Sequence, residues 1–237
     1  MKLDLLPYRV AGAAENMAAD FLLLKTAGAG RARFRHYGWR IPAFTFGYSQ
    51  PIAVVRPQLP SGETVELCRR ATGGGLVDHR NDWTYGLILP RGHALEEMRA
   101  TQSYRLVHEA LAAALVAQGV PAVLQPAAAT TRVSGLPAGV CFQRAETFDV
   151  CSAKTGEKIA GAAQKRAKQG MLFQGSVWKD ALGVAVDWEK YGADFAARLA
   201  AMLGADAGAA PWPDEAGDDA MAPLIEQYAS AEWNEAR

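Results

Sequence analysis

The stretch Arg69-Arg70-Ala71-Thr72-Gly73-Gly74-Gly75-Leu76-Val77-Asp78-His79 brings together two arginines, a hydroxyl, three consecutive glycines and an imidazole. Glycine loses more conformational freedom on folding than any other residue and adds no side-chain packing. Consecutive glycines between apolar segments therefore indicate a backbone that another group approaches closely. We expect a phosphate, a carboxylate or an activated acyl group there, because Arg70 and His79 supply hydrogen-bond donors beside the loop.

Two common phosphate-binding patterns are absent from this loop. Neither the Gly-x-x-x-x-Gly-Lys-Ser/Thr spacing of a P-loop nor a Gly-x-Gly-x-x-Gly between a strand and a helix occurs. A plain glycine-rich turn is the competing interpretation of the triplet. The neighbouring Arg70 and His79 favour a binding site over that interpretation.

The composition is that of a soluble globular protein, with 50% hydrophobic and 21% charged residues among 237. Lys plus Arg and Asp plus Glu balance at 25 each. No overall field is therefore expected to attract nucleic acid or an anionic membrane. Asp4 and Pro7 interrupt the N-terminal segment where a signal peptide has an apolar core. The sequence predicts a cytoplasmic protein without a membrane partner.

The cysteines Cys68, Cys141 and Cys151 are an odd number, at spacings that fit no zinc site. We interpret them as thiols and predict no metal site in the protein itself. Cys68 and Cys151 stand in strand-like runs, which predicts buried and unreactive side chains.

The apolar periodicity predicts helices alternating with strands. Helices are predicted over residues 12–26, 100–118, 181–203 with breaks, and 221–229; strands over 33–37, 43–48, 63–70, 83–89, 147–152, 158–164 and 171–177. The glycine loop is thus expected to be flanked by strands. Residues 204–219, rich in Ala, Gly, Asp and Pro, predict a surface loop before a short C-terminal helix.

A second segment, Lys158-Ile159-Ala160-Gly161-Ala162-Ala163-Gln164, sets a lysine beside small residues. Most lysines lie on solvated faces, and that remains the simpler interpretation. Small neighbours, however, let another molecule approach the strand. A compact cation so placed can stabilise charge that develops on an acyl or phosphoryl oxygen.

These two segments together resemble the lipoate-protein ligase and octanoyltransferase family, which is related to biotin protein ligases. The family pattern is Arg-Arg-x-Thr-Gly-Gly-Gly/Arg-x-Val-x-His, followed by Lys-Ile/Val-x-Gly-Ser/Ala-Ala-Gln and a glycine-containing strand, here Gly175-Ser176-Val177. Residues 42–50 and the tail Tyr228-Ala229-Ser230-Ala231-Glu232-Trp233-Asn234 also resemble family segments.

The resemblance implies an α/β (α+β) fold, similar to that of class II aminoacyl-tRNA synthetases. We expect one catalytic domain over residues 1–237, with a mixed, mostly antiparallel sheet flanked by helices. The implied activity is attachment of lipoate or octanoate to a lysine of lipoyl carrier domains. Such carriers are the E2 component of 2-oxoacid dehydrogenases and the H protein of glycine cleavage.

The resemblance also assigns roles to residues. Lys158 is implied to be catalytic and to hold the activated carbonyl or phosphate oxygen. The acyl and adenylate pocket is implied to be lined by Arg70, Thr72, Gly73, Gly74, Gly75, His79, Gly161, Ala163 and Gln164.

Two chemistries are open within this family. A ligase makes an acyl-adenylate from ATP and Mg²⁺, and Gly75 and the tail motif favour it, so we rank ligation slightly ahead. A transferase takes octanoate from acyl carrier protein through a cysteine thioester, and Cys141-Phe142 is similar to that branch. Asp82-Trp83-Thr84-Tyr85 is closer to the transferase branch, and Gln174 replaces a usual histidine.

Two further possibilities complete the sequence interpretation. A non-catalytic relative that binds an acyl or adenylate group is the rival from another class. A separate accessory subunit is also conceivable, because the residues after Gly204 are too few to form the large C-terminal domain of long ligases.

Overall fold

The computed structural model describes residues 1–126 and 145–236. Its helices are α1 (Ala13–Lys25), α2 (Ile52–Val55), α3 (Ala94–Glu97), α4 (Ala100–Ala117), α5 (Trp188–Leu203), α6 (Asp218–Ala229) and α7 (Ala231–Glu235). Its strands are β1 (Lys2–Leu5), β2 (Arg9–Ala11), β3 (Arg31–Trp39), β4 (Ala43–Phe46), β5 (Glu66–Arg69), β6 (Leu76–Asp78), β7 (Asp82–Pro90), β8 (Ala122–Leu124), β9 (Val150–Ser152), β10 (Lys158–Ala167), β11 (Gly170–Trp178) and β12 (Asp206–Ala209). Among these residues, no helix has the length and apolar character needed to cross a membrane.

A large sheet forms the centre of the molecule. Nine strands of the described residues belong to it, in the order β12-β1-β3-β7-β11-β10-β9-β8, with β2 paired to β3. From β3 to β8 the pairs along this order are antiparallel, whereas β12, β1 and β2 add parallel pairs. The mixed, mostly antiparallel sheet flanked by helices is therefore confirmed.

A second, three-stranded sheet has the order β5-β4-β6. Strand β4 runs parallel to β5 and antiparallel to β6. The glycine loop connects β5 to β6, so it is flanked by strands as predicted.

Both faces of the large sheet are covered, because successive side chains of a strand point to opposite sides. Leu87 and Leu89 of β7 pack in a cluster with α4 and α5. Ile88, between them, packs in a second cluster with α1, α6 and residues of the small sheet. The small sheet and its glycine loop therefore lie on the α1 side of the large sheet.

The predicted surface loop over residues 204–219 is wrong in part. Residues Asp206–Ala209 form β12, parallel to β1, with Asp206 N donating to Met1 O at 2.9 Å and Ala210 N to Leu5 O at 3.0 Å. All four residues of this strand are exposed. The strand is formed by main-chain pairing with β1 and not by burial of side chains. Its sequence therefore lacks the alternation of apolar residues from which a strand is predicted.

The helix predicted over 181–203 begins later than expected. Residues Lys179–Ala181 form a 3-10 turn, and α5 starts at Trp188, where the Asp187 side chain accepts from Lys190 N at 3.1 Å. This contact satisfies a backbone N–H that the first helical turn leaves without an intrahelical partner. The helix ends at Gly204, whose φ of 59° is left-handed.

Candidate active site

A cleft lies between the glycine loop and the face of the large sheet that packs against α1. It encloses about 480 Å³, part of which is open to solvent. Its lining comprises Met17, Tyr37, Thr45, Arg70, Gly74, Val77, His79, Thr84, Lys158, Gly161, Ala162, Ala163, Gln174, Gly175 and Ser176.

The glycine loop packs tightly against the residue that follows β4. A Cβ added to Gly47 would fall 1.9 Å from Gly74 O and 2.8 Å from Gly73 C. Gly74 has a φ of 92°, which residues with a side chain rarely adopt. The close backbone approach inferred from the sequence is thus present, and the loop's first partner is another backbone segment.

Arg70 holds the loop from inside the cleft. Its Nη1 donates to Thr45 Oγ1 at 2.8 Å, and its Nη2 donates to the carbonyls of Gly73 at 2.8 Å and Gly75 at 3.0 Å. Arg70 is buried. The guanidinium therefore shapes the wall of the cleft through its hydrogen bonds to the loop backbone.

Arg69, the preceding residue, points the other way, because strand neighbours alternate in direction. Its Nε donates to Trp233 O at 3.0 Å and its Nη2 to Asn234 O at 2.9 Å. Arg69 N donates to Asn234 Oδ1 at 2.7 Å, and Trp233 Nε1 donates to Arg69 O at 2.9 Å. The C-terminal tail is thus fastened to the strand that leads into the glycine loop.

Thr72 connects the loop to the buried polar interior. Its hydroxyl donates to Gln174 Oε1 at 2.8 Å, and Gln174 Nε2 donates to Asp20 Oδ2 at 2.7 Å. Asp20 also accepts from Arg35 Nε at 2.7 Å, in an ion pair whose side chains are almost completely buried. A buried charge of this kind requires such a partner. Gln174 therefore has a structural role between the loop and α1.

His79 sits at the centre of a hydrogen-bonded group on the same wall. Its Nε2 lies 2.7 Å from Thr45 Oγ1, and its Nδ1 lies 2.6 Å from Asp82 Oδ2. The ring stacks on Trp39 at 4.1 Å between centroids. Asp82 Oδ2 also accepts from Ser176 Oγ at 2.5 Å.

Lys158 begins β10 at the opposite wall. Its ammonium lies 2.7 Å from Asp149 Oδ2, and both side chains are almost fully buried. Tyr104 OH donates to Asp149 Oδ1, and Glu146 N donates to Asp149 Oδ2 at 2.7 Å. A Cβ at Gly161 would fall 2.7 Å from Lys158 Cε and 2.8 Å from its Nζ. The glycine therefore gives the lysine side chain its path into the cleft.

Burial controls the titration of three groups outside the cleft walls. It lowers the pKa of His108 to about 4 and raises the pKa of the Cys151 thiol to about 11. Burial also raises the pKa of the Cys68 thiol. The prediction that Cys68 and Cys151 are buried is confirmed, and at neutral pH both stay protonated and weakly nucleophilic. Cys141 lies outside the described residues.

The structure brings the two predicted segments together at one cleft. Of the predicted site residues, those that line it are Arg70, Gly74, His79, Lys158, Gly161 and Ala163. Thr72, Gly73 and Gly75 are not among the lining residues: Thr72 donates to Gln174, and the carbonyls of Gly73 and Gly75 accept from Arg70. Gln164 lies apart, since its Nε2 donates to Ala100 O at 2.8 Å.

Several polar residues of the cleft were not predicted as site residues. They are Thr45, Asp82, Asp149, Gln174 and Ser176. Thr45 and Gln174 lie far along the chain from the motif residues they contact, whereas Asp82 and Asp149 lie within about ten residues of theirs. A short polar side chain within an otherwise apolar strand was the available signal.

The family model of the lipoyl protein ligase A/B catalytic domain matches residues 12–185. The chain belongs to this family. The match spans α1, the glycine loop, both walls of the cleft and the start of the segment before α5. It confirms the resemblance first seen in the two motifs.

Curated relatives and solved structures agree with this membership. Octanoyltransferase LipM of Bacillus cereus is 30% identical over 168 residues, covering 68% of this chain and 60% of the relative. The chain thus spans about 60% of the length of the curated relatives it matches. The putative lipoate protein ligase Ta0514 from T. acidophilum superposes over 100% of both chains, with a TM-score of 0.77 and 20% identity. A lipoate-protein ligase A bound with ATP gives a TM-score of 0.77 at 19% identity, over 99% of both chains.

These likenesses carry different weight. The two solved structures show the fold, and they confirm the predicted likeness to lipoate ligases in architecture. The curated relatives carry the finer comparison, and they are octanoyltransferases. They favour octanoyl transfer over ATP-dependent ligation, which reverses the order that the sequence predicted.

Proposed function

We propose that this protein transfers an octanoyl group from a thioester carrier to a lysine of a lipoyl domain. The observation that carries the proposal is the buried Lys158 ammonium at the cleft, held by Asp149 at 2.7 Å and approached over Gly161. A fixed cation beside a reacting carbonyl stabilises the oxyanion that forms there, and one such donor contributes roughly 3–4 kcal/mol. The similarity to LipM octanoyltransferases supports the same chemistry.

Cys141 is the nucleophile in this proposal. Its thiolate attacks the octanoyl thioester, a new C–S bond forms, the carrier C–S bond breaks, and the carrier sulfur takes up the proton that Cys141 gave up. The neutral lysine amine of the lipoyl domain then attacks the enzyme thioester. The C–N bond of the amide forms, the C–S bond breaks, and Cys141 leaves as the thiol with the proton that the amine loses. The Lys158 ammonium donates to the carbonyl oxygen in both steps.

The cleft also suits an unbranched acyl tail. Met17, Val77, Ala162 and Ala163 line it with apolar surface. Glycine at position 74 removes bulk from the same wall. A medium chain gains from burial there at about 25 cal/mol per Å² of apolar surface.

ATP-dependent ligation is the second candidate, favoured by Gly75 and the tail motif. The cationic side chains at the cleft, however, are engaged within the protein. Arg70 donates to Thr45 and to loop carbonyls, and Lys158 pairs with Asp149. The curated relatives are octanoyltransferases, which favours the transferase chemistry over ligation. We therefore derive no step through ATP or Mg²⁺.

The decisive experiment supplies a purified lipoyl domain with octanoyl-acyl carrier protein in the absence of ATP. We expect octanoylated domain by mass spectrometry, and its loss in Cys141→Ala. Cys68→Ala is the matched control, because that thiol is buried against Tyr228 of α6 and the substitution should leave transfer intact.

Two other outcomes would contradict the proposal. Product that forms from free octanoate or lipoate only with ATP would establish the ligase. Binding of an acyl group without modification of any carrier would establish a non-catalytic relative.

A further inference from the structure

Strand β10 carries a β-bulge at the point where Lys158 enters the cleft. Lys158 pairs with Cys151 of β9. Ala160 pairs with Val150, so two steps along β10 oppose one step along β9. By strand alternation Lys158 would point to the same face as Ala160, which packs in the cluster with α4 and α5. The bulge instead turns Lys158 to the opposite face, where it lines the cleft with Gly161.

Asp149, which pairs with this lysine, has both carboxylate oxygens engaged. Its Oδ2 lies 2.7 Å from Lys158 Nζ and accepts from Glu146 N at 2.7 Å. Its Oδ1 accepts from Tyr104 OH. The same oxygen lies against β10, because a Cβ at Gly161 would fall 3.1 Å from it. The hydrogen bond from Tyr104 therefore fixes the rotation of the carboxylate that pairs with Lys158.

Tyr104 is itself anchored on the strand that carries the lysine. The pairing of β9 with β10 ends at Ala160, and beyond that point Ala162 N donates to Tyr104 OH at 3.1 Å. A phenol both accepts and donates, so the same hydroxyl is available to donate to Asp149. The contacts therefore close a ring: they begin at Lys158 and return through Asp149 and Tyr104 to β10.

A second residue of α4 supports the backbone just before Asp149. His108, one helical turn after Tyr104, donates from its Nδ1 to Phe148 O at 2.7 Å. The rings of His108 and Tyr104 are 4.1 Å apart between centroids. Phe148 has a φ of 68°, which residues with a side chain rarely adopt, and such a conformation persists only where its surroundings support it. Helix α4 thus supports both the Phe148 backbone and the Asp149 side chain.

We propose that Tyr104 is a positioning residue that keeps the Lys158 ammonium at the cleft by fixing the Asp149 carboxylate. This inference rests on the proposed octanoyl transfer, in which that ammonium donates to the reacting carbonyl oxygen. Without the Tyr104 hydroxyl, the buried Asp149 Oδ1 loses this donor. A buried acceptor that loses its donor is costly, so the carboxylate turns toward other donors. The ammonium that pairs with it then moves away from its place at the cleft.

The first test does not depend on activity and uses Tyr104→Phe, which removes the hydroxyl and keeps the ring. Acetic anhydride acylates exposed amines faster than buried, ion-paired ones. Peptide mass spectrometry follows its reaction with Lys158, against the exposed Lys154 as internal reference. We expect Lys158 to be labelled about 10-fold faster in the variant, the factor for one hydrogen bond to a charged group. Tyr191→Phe is the matched control, because its buried OH has no hydrogen-bond partner among the described residues.

The second test measures octanoyl transfer to the lipoyl domain. In Tyr104→Phe we expect kcat to fall about 10-fold and KM to stay within about twofold, because the hydroxyl acts through Lys158 and not on substrate binding. Asp149→Asn removes the charge that Tyr104 positions. The double variant Tyr104→Phe/Asp149→Asn should have the kcat of Asp149→Asn alone, since two residues that act through one contact are not additive.

The outcomes are distinct. Labelling of Lys158 that is no faster in Tyr104→Phe than in Tyr191→Phe would overturn the positioning role. Additive losses of kcat in the double variant would also overturn it, because Tyr104 would then act apart from Asp149. If wild type transfers no octanoyl group, the proposed function fails, whereas the labelling result still decides whether Tyr104 positions the lysine.

Discussion

Glycine at position 161 is required by the lysine three residues before it. The Lys158 side chain turns across the Gly161 backbone, where a methyl group would fall 2.7 Å from Cε. In Gly161→Ala the ammonium must therefore move away from its position beside Asp149. In the proposed transfer, a displaced cation would no longer contact the oxyanion.

We expect Gly161→Ala to lower octanoyl transfer on the order of 100-fold, the usual effect of losing one oxyanion donor. Steady-state rates with octanoyl-acyl carrier protein would measure it. Gly28→Ala is the matched control, because a Cβ at Gly28 has nothing within 4 Å. Equal activity of Gly161→Ala and wild type would show that Lys158 does not act from this position.

At the level of residues, the sequence predicted the groups that belong to compact motifs. Arg70, His79 and Lys158 were found because spacing within one segment exposes them. Thr45, a partner of His79, was missed for a physical reason: it lies 34 positions away, and only the pairing of β4 with β6 brings the two together. Gln164 was predicted as a site residue from its motif, but its side chain donates to Ala100 O outside the cleft. Membership in a motif does not determine where a side chain points.

Among the elements, the C-terminal helix α7 acts as a fastener for β5. Asn234 Oδ1 accepts from Arg69 N at 2.7 Å, and the Arg69 side chain is bonded to the carbonyls of Trp233 and Asn234. A backbone N–H left without its acceptor in a buried place costs about 1–3 kcal/mol. The glycine loop begins directly after this strand.

Asn234→Ala should therefore lower the melting temperature by about 5 °C, given roughly 2–4 °C per kcal/mol in a chain of this size. Differential scanning calorimetry would measure the change. Glu235→Ala is the neighbouring control, because Glu235 pairs with Arg56 at an exposed site where ion pairs contribute little. A shift as small as that of Glu235→Ala would refute the fastener role.

Elements with strong periodicity were predicted well. Helices α1 and α4 were placed within about two residues of their ends, because apolar spacing and flanking glycines define them. Strand β12 was missed because Asp, Ala and Gly have low strand propensity and its pairing partner is at the other end of the chain.

For the whole molecule, His108 links stability to pH. It lies on α4, is fully buried, and its Nδ1 is 2.7 Å from Phe148 O. Burial lowers its pKa from 6.5 to about 4. Between pH 4 and pH 6.5 His108 is protonated in the unfolded chain and neutral in the folded protein. Its contribution to the free energy of unfolding is therefore complete above pH 6.5 and falls as the pH drops toward 4.

When the pH is lowered from 7.5 to 5, this group should lower the free energy of unfolding of wild type by about 2 kcal/mol, at 1.36 kcal/mol per pH unit. Urea unfolding of wild type and His108→Gln at both pH values would reveal it. We expect the pH-dependent loss to be smaller in the variant by that amount. The same loss in both proteins would contradict the assignment.

The general architecture followed from the family motifs, and a single domain over residues 1–237 stays a prediction. Both packing clusters draw on strands β7 and β11, so helices on both faces pack on the same sheet. Which helix covers which face was not readable from the sequence. Helix order does not encode the side of the sheet on which a helix packs.

Arg69 and Arg70 point in opposite directions, which has a consequence for how the two positions should vary in evolution. Arg69 faces the tail and Arg70 faces the cleft, although they are adjacent in the chain. Without the tail, Arg69 loses its contacts to Trp233 and Asn234 and retains those to Tyr48 O and Gln50 O, whereas the Arg70 contacts at the cleft do not depend on the tail. Residues 69 and 234 should therefore be substituted together in evolution, and residue 70 should be substituted together with residue 45.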